Sequence, residues 1–253
     1  KEAFREAKRR DVTLFISIGY STCHWCHVMA HESFENQEVA DLLNRDFVAV
    51  KVDREERPDV DSAYMRGCQL ATGSGGWPLT VIATPEGKPF FFSTYIPKES
   101  RYGRKGLLEL LPAVSGMWKH NRDELLRSSE NISREMERTE IESVGDFDPA
   151  LLDRTYSKLQ EISDPEHGGF IPAPKFPMPH RIIYLLRYWY RTGNEKALRT
   201  AKKSLEQMRL GGIYDQLDGG FHRYSTDPTW RLPHFEKMLY DQAMHVLAYT
   251  EGY

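Results

Sequence analysis

Residues 12–27 read VTLFISIGYSTCHWCH, and this stretch decides how the first half of the chain is interpreted. Its opening part, Val12 to Ser17, is a run of β-branched and aromatic residues that predicts a buried strand. The motif CHWC at residues 23–26 follows and begins a helical pattern that continues to about Glu32. Two cysteines with this spacing at a helix start indicate thiol chemistry rather than a structural crosslink.

The residues of this motif have different predicted roles. A disulfide exchanger needs one thiolate to attack and a second thiol nearby to release the mixed disulfide. Cys23 stands at the predicted helix N-terminus, where unpaired N–H groups and the helix dipole lower a thiol pKa, so it is the predicted nucleophile. Cys26 is then the resolving cysteine. His24, when protonated, is expected to make the couple more oxidising, and Trp25 completes the predicted catalytic motif.

The other elements of the first half follow from local patterns. Helices are predicted at Glu2–Arg9, from a cap at Asn36 through Asn44, at Asp61–Ala71 and over most of Leu107–Arg138. Strands are predicted at Phe47–Val52, Leu79–Ala83 and Pro89–Tyr95, with a turn at Pro85–Lys88 that makes the last two an antiparallel hairpin. This order predicts an α/β fold over residues 1–140, a mixed sheet with helices on both faces.

A proline before the hairpin is the second feature of the predicted site. Trp77-Pro78 comes directly before the strand that begins at Leu79. In thioredoxin folds a cis-proline at this place stands against the two cysteines and offers backbone to an extended substrate. We therefore predict that the Trp77–Pro78 peptide bond is cis and that Pro78 guides the substrate.

Three other interpretations of the motif stay open. Residues 23–27, CHWCH, match the attachment sequence of a c-type haem, but they follow a buried strand and no distal ligand is evident. A zinc site is the second, because the spacing suits a metal in this set: Cys23, Cys26, His27 and His31. The third is a pair of unreactive buried thiols. Our main interpretation includes no cofactor and no metal.

Composition limits the fold and the partners. The chain has 253 residues, 40% of them hydrophobic, so two domains are expected. Three cysteines are too few for a disulfide scaffold, and the third, Cys68, is expected to be a core residue. A net charge of -3 gives no basic field for nucleic acid. The apolar stretches are far shorter than the roughly 20 residues that cross a bilayer, so no membrane partner is expected.

The start of the chain leaves its targeting open. It begins at Lys1, without a methionine and within a predicted helix, so the N-terminus looks truncated and a targeting segment could have been removed. We expect a soluble protein located in the cytoplasm.

The second half has a different character. A linker is predicted at 139–146, and a helix follows that Asp148 caps and Pro149 opens. Further helices are predicted at Pro179–Arg191, Glu195–Arg209 and Phe235–Tyr249, and no strand is expected. Residues 164–170 and 215–221 each end a loop in Gly-Gly-Phe, an internal echo that fits repeated helical hairpins.

One segment of the second half concentrates charged and aromatic residues. These residues are His222, Arg223, Tyr224, Asp227, Trp230, His234, Glu236, Lys237 and Asp241. Aromatic planes stack on sugar faces, and a carboxylate with a histidine can move a proton, so a carbohydrate site is one interpretation. Asp227 and Glu236 are candidate paired carboxylates for glycoside hydrolysis. The other interpretation is a salt-bridged network that holds helical hairpins together.

The motifs of both halves together resemble one family, the thioredoxin-domain-containing proteins of the spermatogenesis-associated kind. The matching segments are 17–27 (SIGYSTCHWCH), 52–59 (VDREERPD), 75–78 (GGWP), 173–177 (APKFP), 219–224 (GGFHRY) and 233–241 (PHFEKMLYD). The resemblance implies a thioredoxin-like domain followed by an (α/α)6 toroid similar to those of six-hairpin glycosidases and sugar 2-epimerases. Residues 147–253 hold too few predicted helices for a complete toroid and are expected to be its N-terminal part.

One position departs from ordinary thioredoxins. They carry a buried carboxylate on the strand before the motif, where it aids proton transfer from the resolving thiol, and here that position is Ser17. Asp53 and Glu55 are carboxylates that could substitute for it, or exposed loop charges.

The sequence therefore predicts a thiol–disulfide oxidoreductase or a redox-linked protein whose partner is a protein or small-molecule thiol or disulfide. The alternative is a carbohydrate-processing or carbohydrate-binding protein with an accessory thioredoxin-like domain. A third interpretation is a metal-binding interaction module.

Overall fold

A computed structural model of the chain describes residues 1–101, 103–138 and 148–253. The chain divides into two compact units, Lys1–Ser143 and Val144–Tyr253. The linker predicted at 139–146 lies outside the described residues. No helix in the described ranges is long and apolar enough to cross a membrane.

The described residues of the first unit form a four-stranded mixed sheet, as the sequence predicts. Its strands are β1 (Thr13–Gly19), β2 (Phe47–Asp53), β3 (Leu79–Ala83) and β4 (Pro89–Ser93), in the order β2-β1-β3-β4. β1 runs parallel to β2 and antiparallel to β3, and β3 and β4 form the predicted hairpin. β1 therefore lies in the interior of the sheet, and the cysteine motif follows its C-terminal end.

Helices accompany this sheet close to the predicted positions. They are α1 (Glu2–Arg10), α2 (His24–Met29), α3 (Gln37–Asp46), α4 (Pro58–Thr72), α5 (Leu107–His120) and α6 (Arg122–Arg138). The Asn36 side chain caps α3 as predicted, because its oxygen accepts the N–H groups of Glu38 and Val39. α4 begins at Pro58 rather than Asp61, since proline suits the first turn of a helix.

Alternate residues of β1 face two separate cores. Leu14, Ile16 and Ile18 pack in one hydrophobic cluster, which also contains Cys68 at 1% exposure. Phe15 packs on the other side of the sheet in a cluster with Met29. Both faces of β1 are covered, which is why its sequence is an almost unbroken apolar run. The predicted core position of Cys68 is confirmed.

The second unit is mainly helical, with α7 (Ala150–Glu161), α8 (Pro179–Thr192), α9 (Glu195–Leu210) and α10 (Leu239–Gly252). Asp148 accepts the N–H of Ala150 at 2.9 Å, in line with its predicted capping role. The prediction of no strand is wrong. Two short antiparallel strands are present, β5 (Tyr224–Ser225) and β6 (Pro233–His234), and α10 starts later than predicted because the backbone before it is still extended.

The two Gly-Gly-Phe loops have the same local structure, so the internal echo in the sequence is confirmed. In each loop an aspartate, Asp164 or Asp215, accepts the backbone N–H groups two and three residues ahead. Its other oxygen accepts from a lysine ammonium at 2.6 Å, Lys175 in the first loop and Lys237 in the second. The two glycines of each loop have positive φ angles, which residues with a Cβ rarely adopt.

Candidate functional site

The two cysteines of the motif are joined by a disulfide at the start of α2. Their Cα atoms lie 5.2 Å apart. Cys23 is the N-cap residue of α2, and its Sγ accepts the backbone N–H of Cys26 at 3.2 Å. The predicted position of Cys23 at a helix N-terminus is confirmed. A thiolate formed at Cys23 would therefore meet a backbone donor and the positive end of the helix dipole.

The disulfide is partly covered by the protein. Cys23 is only 3% exposed, whereas Cys26 is half-buried. Gly19 at the end of β1 makes room for the second sulfur, because a Cβ at this position would lie 2.7 Å from Cys26 Sγ. The predicted nucleophile is therefore the more covered cysteine in the oxidised form.

His24 and Trp25 lie at the surface between the cysteines. The two rings contact each other edge to face with centroids 5.6 Å apart. The exposed fraction of Trp25 is 46%, and its ring also contacts Tyr95 at 5.4 Å. Trp25 thus offers an exposed aromatic face beside the disulfide.

The histidines that follow the motif are held by local partners. His27 Nε2 lies 2.6 Å from the carbonyl oxygen of Ser21, and His31 Nδ1 lies 2.9 Å from the carboxylate of Glu35. In the described part of the chain, no three or more His, Cys, Asp or Glu side chains are grouped so that they could hold a metal ion. Cys23 and Cys26 are bonded to each other, and His27 and His31 each have a separate partner.

Trp77, which precedes Pro78, is anchored by two charged residues. The Trp77–Pro78 peptide bond is cis, as predicted. Trp77 Nε1 donates to the carboxylate of Asp61 at 2.7 Å, and the Arg54 guanidinium lies 4.0 Å from the Trp77 ring centre. Arg54 also donates its backbone N–H to Gly19 at the end of β1. These contacts fix the indole before Pro78 relative to the strand that leads to the motif.

Asp53 and Glu55 are the carboxylates proposed to substitute for the one that Ser17 replaces, and neither is buried. Asp53 accepts the backbone N–H of Glu55 at 2.8 Å and so stabilises the turn after β2. Glu55 is exposed, with its carboxylate 3.4 Å from Arg54. Asp61, at 5% exposure, is the buried carboxylate of this region, and its oxygen is engaged by Trp77.

A groove of about 650 Å³ lies beside the motif. It is lined by Trp25, Gly75, Gly76, Trp77, Thr94, Tyr95, Pro97, Arg101 and Arg104. Tyr95 donates its hydroxyl hydrogen to Glu32, and Arg101 donates to both of these residues. Burial, and after it the Glu32 carboxylate, raise the pKa of Tyr95, so its hydroxyl stays protonated at neutral pH.

In the second unit, the side chains of Asp227 and Trp230 form hydrogen bonds with other residues of this unit. The Asp227 carboxylate accepts from the backbone of Thr229 and Leu232 and from the hydroxyl of Ser225. Burial raises the pKa of Asp227, but these hydrogen bonds outweigh burial and hold it well below its usual range. Trp230 is fully buried and donates to the carbonyl of His167. Asp227 is thus bonded within its own loop, and Trp230 is part of the core.

Ion pairs hold three more of the predicted residues. Arg223 lies 3.1 Å from Asp241, and Lys237 lies 2.6 Å from Asp215. Burial raises the pKa of Asp241 and outweighs the opposing effect of Arg223. These contacts match the network interpretation of this segment.

The remaining predicted residues gather around β5 and β6. The rings of Tyr224 and His234 contact each other at 4.7 Å, and the two residues pair across the strands. His222 is buried, and burial lowers its pKa, with a further contribution from Lys237. The backbone of Glu236, which is also buried, accepts the N–H of Arg223. The structure thus brings these residues together on both sides of a short hairpin.

The first unit matches a known protein family. The profile described as "Thioredox_DsbH: Protein of unknown function, DUF255" matches residues 1–137. The chain belongs to this DsbH-like thioredoxin family. The thioredoxin-like fold predicted for the first half is therefore shown.

The chain is also similar to longer curated relatives, and these bear out the resemblance drawn from its motifs. Spermatogenesis-associated protein 20 of Homo sapiens is 45% identical over 263 residues, which cover 100% of this chain and 33% of the relative. An uncharacterized protein of Caenorhabditis elegans is 40% identical over 255 residues, or 99% of this chain and 35% of the relative. The chain thus spans about a third of the length of these relatives.

Solved structures are similar to somewhat less than half of this DsbH-like chain. A disulphide isomerase from Xylella fastidiosa Temecula1 has 21% sequence identity and a TM-score of 0.35, and covers 45% of this chain and 86% of that one. A structure titled DsbH Oxidoreductase has 18% identity and a TM-score of 0.34, and covers 47% of this chain and 81% of that one.

Sequence reasoning missed one buried histidine in the second unit. His245 is 2% exposed and stacks on Phe221 with ring centres 4.1 Å apart. Its Nδ1 lies 2.7 Å from the carbonyl of Asp241, while its buried Nε2 has no partner among the described residues. Because a carbonyl only accepts, Nδ1 carries the hydrogen and Nε2 a lone pair. Burial lowers the pKa of His245, which favours this neutral form.

His245 borders a groove of about 590 Å³ at the second Gly-Gly-Phe loop. The groove is also lined by Tyr214, Gly219, Gly220, Phe221, Lys237, Gln242 and Tyr249, among others. The only sequence signal for His245 was its place within a predicted helix, which is shared by many core residues. Asp61, Glu32 and Arg101 carried no sequence signal that marked them as neighbours of the motif.

Proposed function

We propose that the first unit is a thiol–disulfide oxidoreductase that uses Cys23 and Cys26 as its redox couple. The observation that carries this proposal is the placement of both cysteines at the start of α2, bonded to each other, with the Cys26 N–H directed at Cys23 Sγ. That donor and the helix dipole favour a thiolate at Cys23, which is what an attacking sulfur needs.

In the reducing direction, the Cys23 thiolate attacks one sulfur of a substrate disulfide. The substrate S–S bond breaks, a mixed disulfide forms, and the departing substrate thiolate takes up a proton. The Cys26 thiol then loses its proton and attacks Cys23 Sγ, which forms the Cys23–Cys26 disulfide and releases the second substrate thiolate. Two electrons pass to the substrate, and the same steps in reverse oxidise a dithiol.

The groove beside the motif is the proposed binding surface for the substrate. The groove next to the motif is lined by Trp25 and Trp77 and lies open to solvent. We assign Pro78 the role of substrate guide, because it follows the anchored Trp77 and begins the backbone leading into β3. The expected substrates are thiols or disulfides of proteins or small molecules.

A glutathione titration tests the oxidoreductase proposal. The chain is equilibrated with mixtures of reduced and oxidised glutathione, and the thiol state is read by alkylation and mass spectrometry. We expect one two-electron transition that survives in Cys68→Ser, since Cys68 is a buried core residue. If the Cys23–Cys26 pair shows no such transition within the range that glutathione covers, disulfide exchange is the wrong function.

A carbohydrate-binding second unit is the second candidate function, favoured by the groove at the second Gly-Gly-Phe loop. This groove is lined by the aromatic residues Tyr214 and Phe221 together with Lys237 and His245. Asp227 is not used in this proposal, because its carboxylate is bonded within its own loop. The view of residues 147–253 as part of an α/α toroid belongs to the same proposal. Thermal stabilisation by a panel of monosaccharides, lost in Lys237→Met, tests it.

A further inference from the structure

The groove beside the disulfide has a distinct chemical character, and we name it the Trp25–Trp77 groove after the two indoles that line it. Trp25 is 46% exposed and Tyr95 packs against it, so one wall is aromatic. Gly76 also lines the groove, and the nearest atom to a Cβ placed there would be 3.8 Å away, on Thr94. This part of the groove is therefore bare backbone that another chain can approach closely.

The rim of the groove is positively charged. Arg101 donates to Glu32 at 3.0 Å and to the Tyr95 hydroxyl at 2.6 Å, so one arginine already has a carboxylate partner. Arg104 is exposed, and its side chain has no hydrogen bond or ion pair with any residue that the structure describes. No carboxylate is found among the described residues that line the groove. The groove therefore carries an uncompensated positive charge.

These features together indicate the chemical class of the substrate. We infer that the Trp25–Trp77 groove binds an extended peptide that carries a carboxylate within a few residues of its reacting cysteine. This inference rests on the proposed thiol–disulfide function and adds the class of its substrate. Arg104 is the specificity-determining residue, because a guanidinium pairs with a carboxylate through two parallel hydrogen bonds. An apolar side chain of the same peptide contacts Trp25 and Trp77.

A peptide explains the groove better than a small thiol does. The groove is lined both by Trp25, which adjoins Cys26 in the sequence, and by Arg104, and its volume is about 650 Å³. A chain of several residues fills such a surface, with its cysteine at the motif and its carboxylate at the rim. Glutathione also has carboxylates, so it is the competing occupant in the experiment.

The test uses three synthetic peptides that differ only in the two residues after their single cysteine, which are Glu-Glu, Gln-Gln or Lys-Lys. Each cysteine is protected as a disulfide with neutral thiopyridine, whose release by the reduced chain is followed by absorbance. We expect the Glu peptide to react about fivefold faster than the Gln peptide and the Lys peptide to be slowest, at low salt. Arg104→Glu is expected to reverse this order.

A matched variant controls for overall charge. Arg127 is exposed on α6 and does not line the groove, so Arg127→Glu changes the net charge equally and is expected to keep the preference for Glu. If the wild type reduces all three peptides at one rate, the inference is wrong while the oxidoreductase function stands. Reduction of oxidised glutathione as fast as the Glu peptide would overturn the choice of a peptide.

A binding measurement tests the peptide specificity of the groove independently of disulfide exchange. The double variant with Cys23→Ser and Cys26→Ser is titrated with the same peptides, in which serine replaces cysteine, and tryptophan fluorescence is recorded. We expect tighter binding of the Glu peptide than of the Gln peptide, and equal binding in Arg104→Gln. If no peptide is reduced but this preference is present, the oxidoreductase proposal fails and the groove remains an acidic-peptide site. If no preference is seen, the groove assignment fails.

Discussion

The Nε1 of Trp77 donates a 2.7 Å hydrogen bond to the carboxylate of Asp61, a residue that is only 5% exposed. Asp61 lies in the first turn of α4, and Trp77 lies just before β3. The bond thus ties the residue before Pro78 to a helix on one face of the sheet. Trp77, one of the residues that line the groove beside the motif, is thereby held by the first turn of α4.

Asp61→Ala is expected to lower the free energy of unfolding by about 1 to 3 kcal/mol, because it leaves the buried indole N–H without an acceptor. Asp61→Asn keeps an oxygen for the indole but loses the charge that faces Arg54 at 3.7 Å, so its cost is expected to be smaller. Urea denaturation of both variants measures the difference. Equal stability of Asp61→Ala and the wild type would show that the bond contributes nothing.

Gly19→Ala is expected to disturb the disulfide. The added Cβ would lie 2.7 Å from Cys26 Sγ, and overpacking of this kind costs about 1 to 3 kcal/mol. The cost is expected to be larger in the oxidised form, because the disulfide prevents the sulfur of Cys26 from rotating away. The couple should then be reduced at a lower ratio of reduced to oxidised glutathione than in the wild type.

Gly116→Ala is the matched control for Gly19→Ala. A Cβ at Gly116, within α5, would have no neighbour within 4 Å, so the alanine is expected to be neutral or slightly stabilising. An unchanged redox midpoint in Gly19→Ala would contradict the close packing of Gly19 against Cys26.

Cys26→Ser is expected to trap a mixed disulfide with a thiol partner, because Cys23 can still attack while no second thiol remains to release the adduct. Cys23→Ser is expected to trap none. Non-reducing gel electrophoresis and mass spectrometry after incubation with a cysteine-bearing peptide disulfide measure the adduct. The structure makes this experiment informative, because Cys23 is the more covered cysteine. Trapping by Cys23→Ser alone would assign the attack to Cys26.

Asp227→Asn is expected to destabilise the second unit by about 1 to 3 kcal/mol near neutral pH, through lost hydrogen bonds to Thr229 and Leu232. The pKa of Asp227 is lowered in the folded chain, so its contribution is complete above the unfolded pKa of about 3.9 and is lost as the pH falls below it. The difference between variant and wild type should therefore shrink on acidification.

Urea titrations at several pH values, read by hydrogen exchange in α8 and α9, measure this effect. Asp218→Asn is a suitable control, because Asp218 is an exposed loop residue whose backbone, rather than its carboxylate, is bonded to Asp215. A constant difference between Asp227→Asn and wild type at all pH values would mean that the charge of Asp227 is not what holds its loop.

Much of the motif's setting could be predicted because it depends on neighbours in the sequence. The apolar run before Gly19 specifies a strand buried on both faces, and Cys23 caps the helix that follows it in the sequence. The Asn36 cap and the turn of the β3–β4 hairpin are also local. The predicted first residues of α4 and α10 were wrong for different reasons. α4 begins earlier than predicted because a proline occupies its first turn, and α10 begins later because the backbone before it is extended, although the apolar periodicity indicated otherwise.

The amino-acid sequence by itself determined the cysteine motif, its place after a buried strand and the turns in which Asp164 and Asp215 accept nearby backbone N–H groups, because each depends on contacts within a few residues. Only the tertiary structure decided that Asp61 would hold Trp77, that Glu32 would meet Tyr95 and Arg101, and that His245 would be buried with one unpartnered nitrogen. Glu32 and Tyr95 are separated by 63 positions in the sequence. Local patterns carry no information about such pairs, because their distance is set by how helices and strands pack.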